Sequence, residues 1–466
     1  MARPHVLILM CDQMQARRMG FVDGIAHTPN LDALAAEGVH FRNAITIHGQ
    51  CAPSRCALMT GLPPHQCNVM VNYGFFDHCG HLTARNRTFA HAFQDAGYVT
   101  AHFGKSHLGS PLRTMGFEVG ECLDGHFPKG REPAERVRAR EALRAAGVDA
   151  AEAAWPAEST HYKFLRQGLE WLEGYEPGDR PLLFMFDTNL PHPPFYYEPR
   201  WQDRFRPQDM VLPRSYYDET FEGKPPFLRE HALAGPHLLE NEPQLREEMA
   251  QYYTLIAAVD DAYGRIIDAF KRKGMWDDTI VLFLSDHGDM MGAHRLRRKG
   301  TMPYEELYNI PCIMKLPADV ERRRTVIDDV VVCTDLPGAL LELAGIKPPA
   351  PFDGSDVARA LRRDAPTGAE RAFFEHYAAW WGRHPFYGVR TATMKYVRYY
   401  GADGFEELYD LAADPDELRS VAGDPAYAQV KRELAGAADD WWRRTDGKDA
   451  DFYETEAFKA NLNAVG

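Results

Sequence analysis

No apolar run in this 466-residue chain approaches the length of a bilayer-spanning helix, so no membrane partner is expected. The opening apolar stretch, Val6 to Met10, is too short for a signal-peptide core and has no small-residue cleavage site after it. Positive charge is also scarce. With 53 Lys and Arg against 67 Asp and Glu, the net charge is −14, which argues against nucleic acid or an acidic membrane as the main partner. Any anion-binding site must then be a local basic pocket inside an acidic shell. The eight cysteines show no framework spacing and no Cys-x-x-Cys pair, which suits a reducing compartment, and a cytoplasmic location is expected. Internal repeats and low-complexity tracts are missing as well.

What is present is the composition of a globular protein, 45% hydrophobic and 26% charged. The length predicts one large domain and a smaller one, drawn at 1–365 and 366–466. Val6–Met10, Leu182–Phe186 and Val281–Leu284 are short apolar runs of the kind that form buried parallel strands. Ligands of such sheets sit at the carboxyl ends of the strands, and these three runs are followed by Asp12, His192 and Asp286. Helical spacing marks Asn30–Gly38, Phe89–Gly97, Met249–Gly274 and Leu336–Gly345, with an exposed helix over Ala134–Ala154. Phe195–Glu230, rich in Pro and Tyr, reads as a long loop over the site. Beyond the Pro-rich break at Lys347–Pro351, Arg371–Tyr400 looks strand-rich and carries Trp380 and Trp381; Leu434–Trp442 closes the chain as a helix.

The eleven residues from Cys51 to Gly61 read Cys-Ala-Pro-Ser-Arg-Cys-Ala-Leu-Met-Thr-Gly. Cys51, Pro53, Ser54, Arg55, Leu58, Thr60 and Gly61 together resemble the mark by which type I sulfatases select one cysteine for oxidation to formylglycine. A buried structural thiol is the plain alternative for Cys51. Zinc binding by His48, Cys51, Cys56, His65, Cys67, His78, Cys79 and His81 is another, and their spacing fits no usual zinc module. The resemblance extends to the phosphonate monoester hydrolases and choline sulfatases, because Asp12 is followed by Gln13 where many sulfatases have a second Asp.

The resemblance implies an alkaline-phosphatase-like α/β fold, a large mixed and mostly parallel sheet between helices, with a small C-terminal α+β subdomain. It implies a hydrated formylglycine at position 51 as nucleophile, which splits ester hydrolysis into two easier steps. One divalent cation would be held by Asp12, Gln13, residue 51, Asp286 and His287, Ca²⁺ ahead of Mg²⁺ or Mn²⁺ given the oxygen-rich set. The segment Gly97-Tyr-Val-Thr-Ala-His-Phe-Gly-Lys105-Ser-His107-Leu-Gly109 is similar to a family segment in which the Lys neutralises ester oxygens and the His contacts the diol. His192, before a Pro-rich loop, would protonate the leaving oxygen. Lys299 matches a second sulfate-binding lysine, with Arg297 and Arg298 beside it as rivals for the inward position. Arg55, one turn after Cys51, would bond the diol with help from the helix N-terminus.

The expected reaction is sulfate-ester hydrolysis. The same site would also serve a phosphonate monoester or phosphodiester hydrolase. A non-catalytic metal- or anion-binding protein and a dinuclear zinc phosphatase are the readings from other classes; the latter needs more ligands than these and a Ser or Thr nucleophile. The expected partners are a small anionic ester and a formylglycine-generating maturation enzyme, with homo-oligomerisation left open.

Overall fold

A computed structural model describes residues 3–72, 81–123, 160–178, 180–198, 200–234, 242–352, 355–363, 366–379, 382–401 and 404–454. The helix expected over Ala134–Ala154, the tryptophans Trp380 and Trp381, and His78 and Cys79 lie outside the described residues.

Eight strands form the main sheet: β1 (His5–Asp12), β2 (Val39–Ile45), β3 (Val99–Lys105), β4 (Val119–Leu123), β5 (Leu182–Pro191), β6 (Thr279–Ser285), β7 (Cys312–Lys315) and β8 (Val326–Val332). Their order is β4-β3-β5-β1-β6-β7-β2-β8. All neighbours are parallel except β7, which runs antiparallel to both β6 and β2. β1 lies at the centre, and its sequence shows why. Val6, Ile8 and Met10 join the core on one face, while Leu7, Leu9 and Cys11 join the core on the other. A strand covered on both sides must be apolar at every position, not at alternate ones. One covering layer includes the helices Cys51–Thr60, Phe89–Asp95 and Leu336–Leu343; the other includes Pro29–Glu37, Thr160–Gly174 and Glu242–Arg272. Fixing these layers is a long-range matter: Asp260, inside the last of these helices, accepts the first-turn amides of Asn30 (3.2 Å) and Leu31 (2.8 Å) and so caps the first helix of that layer. No helix among the described residues is long and apolar enough to cross a membrane.

A second, antiparallel sheet follows, made of β9 (Ala372–His376), β10 (Phe386–Arg390), β11 (Met394–Tyr399) and β12 (Glu406–Asp410), in the order β12-β11-β10-β9. The closing helix, Ala428–Arg444, packs on it through Leu434, Ala438 and Trp441. Buried ion pairs join the two parts: Glu305 accepts from Arg390 (3.1 Å) and Lys395 (3.3 Å). Segment 46–48 runs beside β9, with the Glu375 amide donating to Ile47 O at 2.8 Å.

Two expectations change. The stretch 195–230, expected as one long loop, contains the helical turns Arg214–Asp218 and the start of the helix Pro226–Ala234; Pro213 and Pro226 open these elements, where a missing N–H costs nothing. The long helix begins at Glu242, seven residues before the expected Met249.

Under the Pro226–Ala234 region lies a closed polar cluster. Lys224 and His294 both reach the Glu219 carboxylate, and the three are buried. Burial opposes the Glu219 charge, but His294 and Lys224 outweigh it and hold the carboxyl at about 2. A lowered acid stabilises the fold above its ordinary value of 4.5, and this contribution is lost as pH falls through about 2. Glu219→Gln should therefore lower the urea midpoint near neutral pH, with the gap from wild type closing on acidification. A gap that stays constant from neutrality to pH 3 would show that packing, not ionisation, is responsible.

Candidate active site

The site lies where three central strands end. Asp12 is the last residue of β1, Asp286 follows β6, and His192 follows β5. Because β1 lies between β5 and β6, the three residues are brought to one edge. The helix Cys51–Thr60 presents its first residue to that edge, and all ten of its residues are buried. Few amides of its first turn are left for an anion, because Pro53 has none and Ser54 N donates to Gln50 O. Asn72 Oδ1 accepts another, Ala52 N, at 3.0 Å.

Cys51 Sγ lies 2.6 Å from Lys299 Nζ, 3.2 Å from His287 Nε2 and 3.4 Å from Asp12 Oδ1. In a converted protein the sulfur stands for the oxygens of the oxidised residue. Burial and Asp12 oppose an anion here, but Lys105, Lys299 and His287 outweigh them and hold the thiol well below its ordinary range. The surroundings of residue 51 thus favour negative charge. Lys105 Nζ donates to Asp12 Oδ2, leaving Oδ1 toward the cysteine. Of the three adjacent basic residues, Lys299 alone turns inward. Arg297 pairs with Glu248, and Arg298, in a left-handed turn at φ 64°, stacks over Phe195 with its guanidinium carbon 4.2 Å from the ring centre.

Arg55 binds the scaffold. Its Nε donates to Asp286 Oδ2 at 2.8 Å, and its Nη1 donates to the Lys105 carbonyl at 2.8 Å and to Asp187 at 3.3 Å. Nη2 is buried with no partner among the described residues. His107 is buried with a left-handed backbone, φ 58°; burial first, then Lys105, keeps its ring well below the ordinary imidazole range and so neutral.

The donor set fits a cation. Asp12, Cys51, Asp286 and His287 offer ligand atoms that all lie within 4.8 Å of one another, the one such group among the described residues. Of the expected cysteine-histidine alternative, His48, Cys56, His65, Cys67 and His81 form no such group among the described residues, and His78 and Cys79 lie outside them. A carbonyl can only accept, so His287 Nδ1 donates to Gly288 O (2.8 Å), and its Nε2 lone pair faces the cluster. Gln13 holds a left-handed backbone at φ 75°; its Nε2 is fixed by Asp289 at 2.5 Å, and its Oε1 is buried with no partner among the described residues. That carbonyl oxygen is the kind of neutral ligand a hard cation takes.

With this geometry, the comparisons agree. Residues 4–346 match the sulfatase family, and residues 292–441 match the family described as N-sulphoglucosamine sulphohydrolase, C-terminal. The chain belongs to the sulfatase family. It is 26% identical over 446 residues to an ulvan-active sulfatase of Formosa agariphila, covering 93% of this chain and 80% of that one. It is 29% identical over 452 residues to a choline-sulfatase of Rhizobium meliloti, covering 91% and 83%. Among solved structures, a phosphonate monoester hydrolase of Agrobacterium radiobacter superposes with a TM-score of 0.77 at 25% identity, covering 95% of this chain and 96% of that one. The fold is the alkaline-phosphatase-like one expected, and the protein is a sulfuric ester hydrolase.

Several residues that shape this sulfatase's site were not singled out from the sequence. Asp187, inside β5, accepts from Arg55 and from His102 Nε2 (2.8 Å). Asp289 fixes Gln13 and also accepts the amides of Met291 (2.7 Å) and Arg298 (3.0 Å), holding the loop that carries Lys299. Ser54, which was named for its place in the cysteine motif, also braces the site: its Oγ donates to Asp286 O at 2.6 Å. Asp289 stands three residues after Asp286, beyond the same strand, so a signal existed; Asp187 had none.

Proposed function

We propose that this sulfatase acts through formylglycine derived from Cys51, with one divalent cation, Ca²⁺ in the first place, held by Asp12, Gln13, residue 51, Asp286 and His287. The convergence of Lys299, His287 and Asp12 on Cys51 Sγ carries the reading. The cation, when bound, would supply Lewis-acid stabilisation of oxygen charge on nucleophile and ester. The chain's own residues do the rest. Lys105 and Lys299 give full positive charge to the ester oxygens, which matters most where charge grows in the transition state. His107, kept neutral, orients by hydrogen bonding. Arg55 holds Asp286 in place and can add its remaining Nη2 donor.

His192 is the general acid in this reading. It is half-buried, and its Nδ1 donates to the Pro193 carbonyl at 2.6 Å, so Nε2 is the nitrogen that exchanges a proton: it carries one in the imidazolium form and gives it to the leaving oxygen. His192→Ala should slow esters of poor leaving groups by about 10²–10⁴-fold while sparing activated aryl sulfates. Equal losses across a leaving-group series would move the role to Lys299 or a water.

A second reading keeps the site and changes the ester. The Asp12-Gln13 pair and the likeness to a phosphonate monoester hydrolase favour activity on phosphonate monoesters or phosphodiesters as well. Comparing kcat/KM on aryl sulfate, phosphonate monoester and phosphodiester decides which ester dominates. The reading also requires a maturation enzyme, and cysteine usage favours the cytoplasm.

A further inference from the structure

In the unconverted chain, residue 51 is a thiol, and this changes what the cluster can hold. Four edges of the ligand group are fixed: Cys51 Sγ to His287 Nε2 is 3.2 Å, Cys51 Sγ to Asp12 Oδ1 is 3.4 Å, His287 Nε2 to Asp12 Oδ1 is 3.5 Å, and His287 Nε2 to Asp286 Oδ1 is 3.6 Å. A tetrahedron built on zinc–sulfur bonds of about 2.3 Å and zinc–nitrogen or zinc–oxygen bonds of about 2.0 Å has edges of about 3.5 Å to sulfur and about 3.3 Å between nitrogen and oxygen, so each of the four lies within about 0.3 Å of its value. One thiolate, one imidazole and two carboxylates suit a borderline-soft ion, whereas Ca²⁺ avoids sulfur.

We propose that the unconverted chain carries a zinc site made of Asp12, Cys51, Asp286 and His287, and that oxidation of Cys51 turns a zinc-selective site into one for a hard cation. The surroundings needed are present. Lys105 holds Asp12 through Oδ2 and Arg55 holds Asp286 through Oδ2, so each carboxylate keeps Oδ1 toward the cluster. Gly288 O fixes the His287 tautomer that leaves Nε2 as the ligand. Lys299 must yield, since its ammonium lies on the sulfur and 3.2 Å from His287 Nε2, and Asp286 Oδ1 must share with the ion the lone pairs that now accept the amides of Gln13 (3.0 Å) and His287 (2.9 Å). The Lys299 ammonium sits on a flexible four-carbon stem, and the residue is 6% exposed, where the other cluster residues are nearly closed off. The unconverted fraction is then an inactive zinc protein, not a cation-free precursor.

The inference rests on reading these four residues as one cation site. Its test uses full-length chain expressed without a maturation enzyme, which turns nothing over. A failure here leaves the hydrolase reading standing, and an inactive converted protein leaves the zinc result standing. Zn²⁺ and Ca²⁺, added as chlorides, are titrated against a chelating indicator into wild type and Cys51→Ser. Zinc should bind one per chain and about a hundredfold more tightly to wild type, while calcium affinity stays within about threefold. Co²⁺ added to wild type should show a sulfur-to-cobalt charge-transfer band and the strong visible absorption of tetrahedral cobalt; this spectrum decides the matter if the Ser variant does not fold. Equal zinc affinities in the two proteins, or a cobalt spectrum without the sulfur band, would overturn the proposal.

Discussion

Cys51→Ala, co-expressed with a maturation enzyme, should lose at least about 10⁴-fold in kcat for aryl sulfate hydrolysis and keep its fold. Removing a nucleophile leaves only what binding and electrostatic stabilisation supply, and such losses dominate all others in enzymes with covalent intermediates. The fold should survive because the substitution removes one sulfur atom from a helix whose other nine residues remain packed. Buried truncations of that size cost about 1–2 kcal/mol, which a urea midpoint can read. Peptide mass analysis of wild type should show the thiol-to-aldehyde loss at Cys51 and not at Cys56, five residues on. Near wild-type turnover from Cys51→Ala would end the formylglycine reading.

The second large effect falls on Asp286, which serves both the cation and the frame. Its Oδ2 pairs with Arg55 at 2.8 Å, and its Oδ1 accepts the amides of Gln13 (3.0 Å) and His287 (2.9 Å). Asp286→Ala strands a buried guanidinium with Asp187 as its one remaining carboxylate. Breaking a buried pair from one side costs about 3–5 kcal/mol. Calcium affinity should fall as well, by more than the ~10–100-fold typical of losing an outer-shell partner. Asp286→Asn keeps the shape and should recover part of the stability but little of the affinity. If Asp286→Ala matched wild type in urea midpoint and in calcium titration, the site would be drawn wrongly.

These residues differ in how far the sequence reveals them. Asp12, His192 and Asp286 could be found because both faces of β1, β5 and β6 are buried, which makes each strand a continuous apolar run with chemistry at its end. Cys51 and Lys105 could be found by family pattern. Asp187 could not: it is an acid within an apolar strand, and its role comes from Arg55, 132 positions away in sequence. Nor could the choice among Arg297, Arg298 and Lys299. Glu248 on the long helix and Phe195 after β5 take the two arginines, and nothing near residue 297 announces either. The start of the long helix at Glu242 was marked by Glu-Pro and acid in its first turn, a local signal that the stronger periodicity further on obscured.

Complete burial of the Cys51–Thr60 helix sets an order of events in time. Cys51 has 0% exposure, and its helix is covered by the main sheet's core. An ion or a small ester can reach such a place through brief local opening, but another enzyme's active site cannot close around the Cys51 peptide without unpacking the helix. On the formylglycine reading proposed above, conversion must therefore precede folding. Each newly made chain has one interval in which its chemistry is chosen, and the completed fold makes that choice permanent.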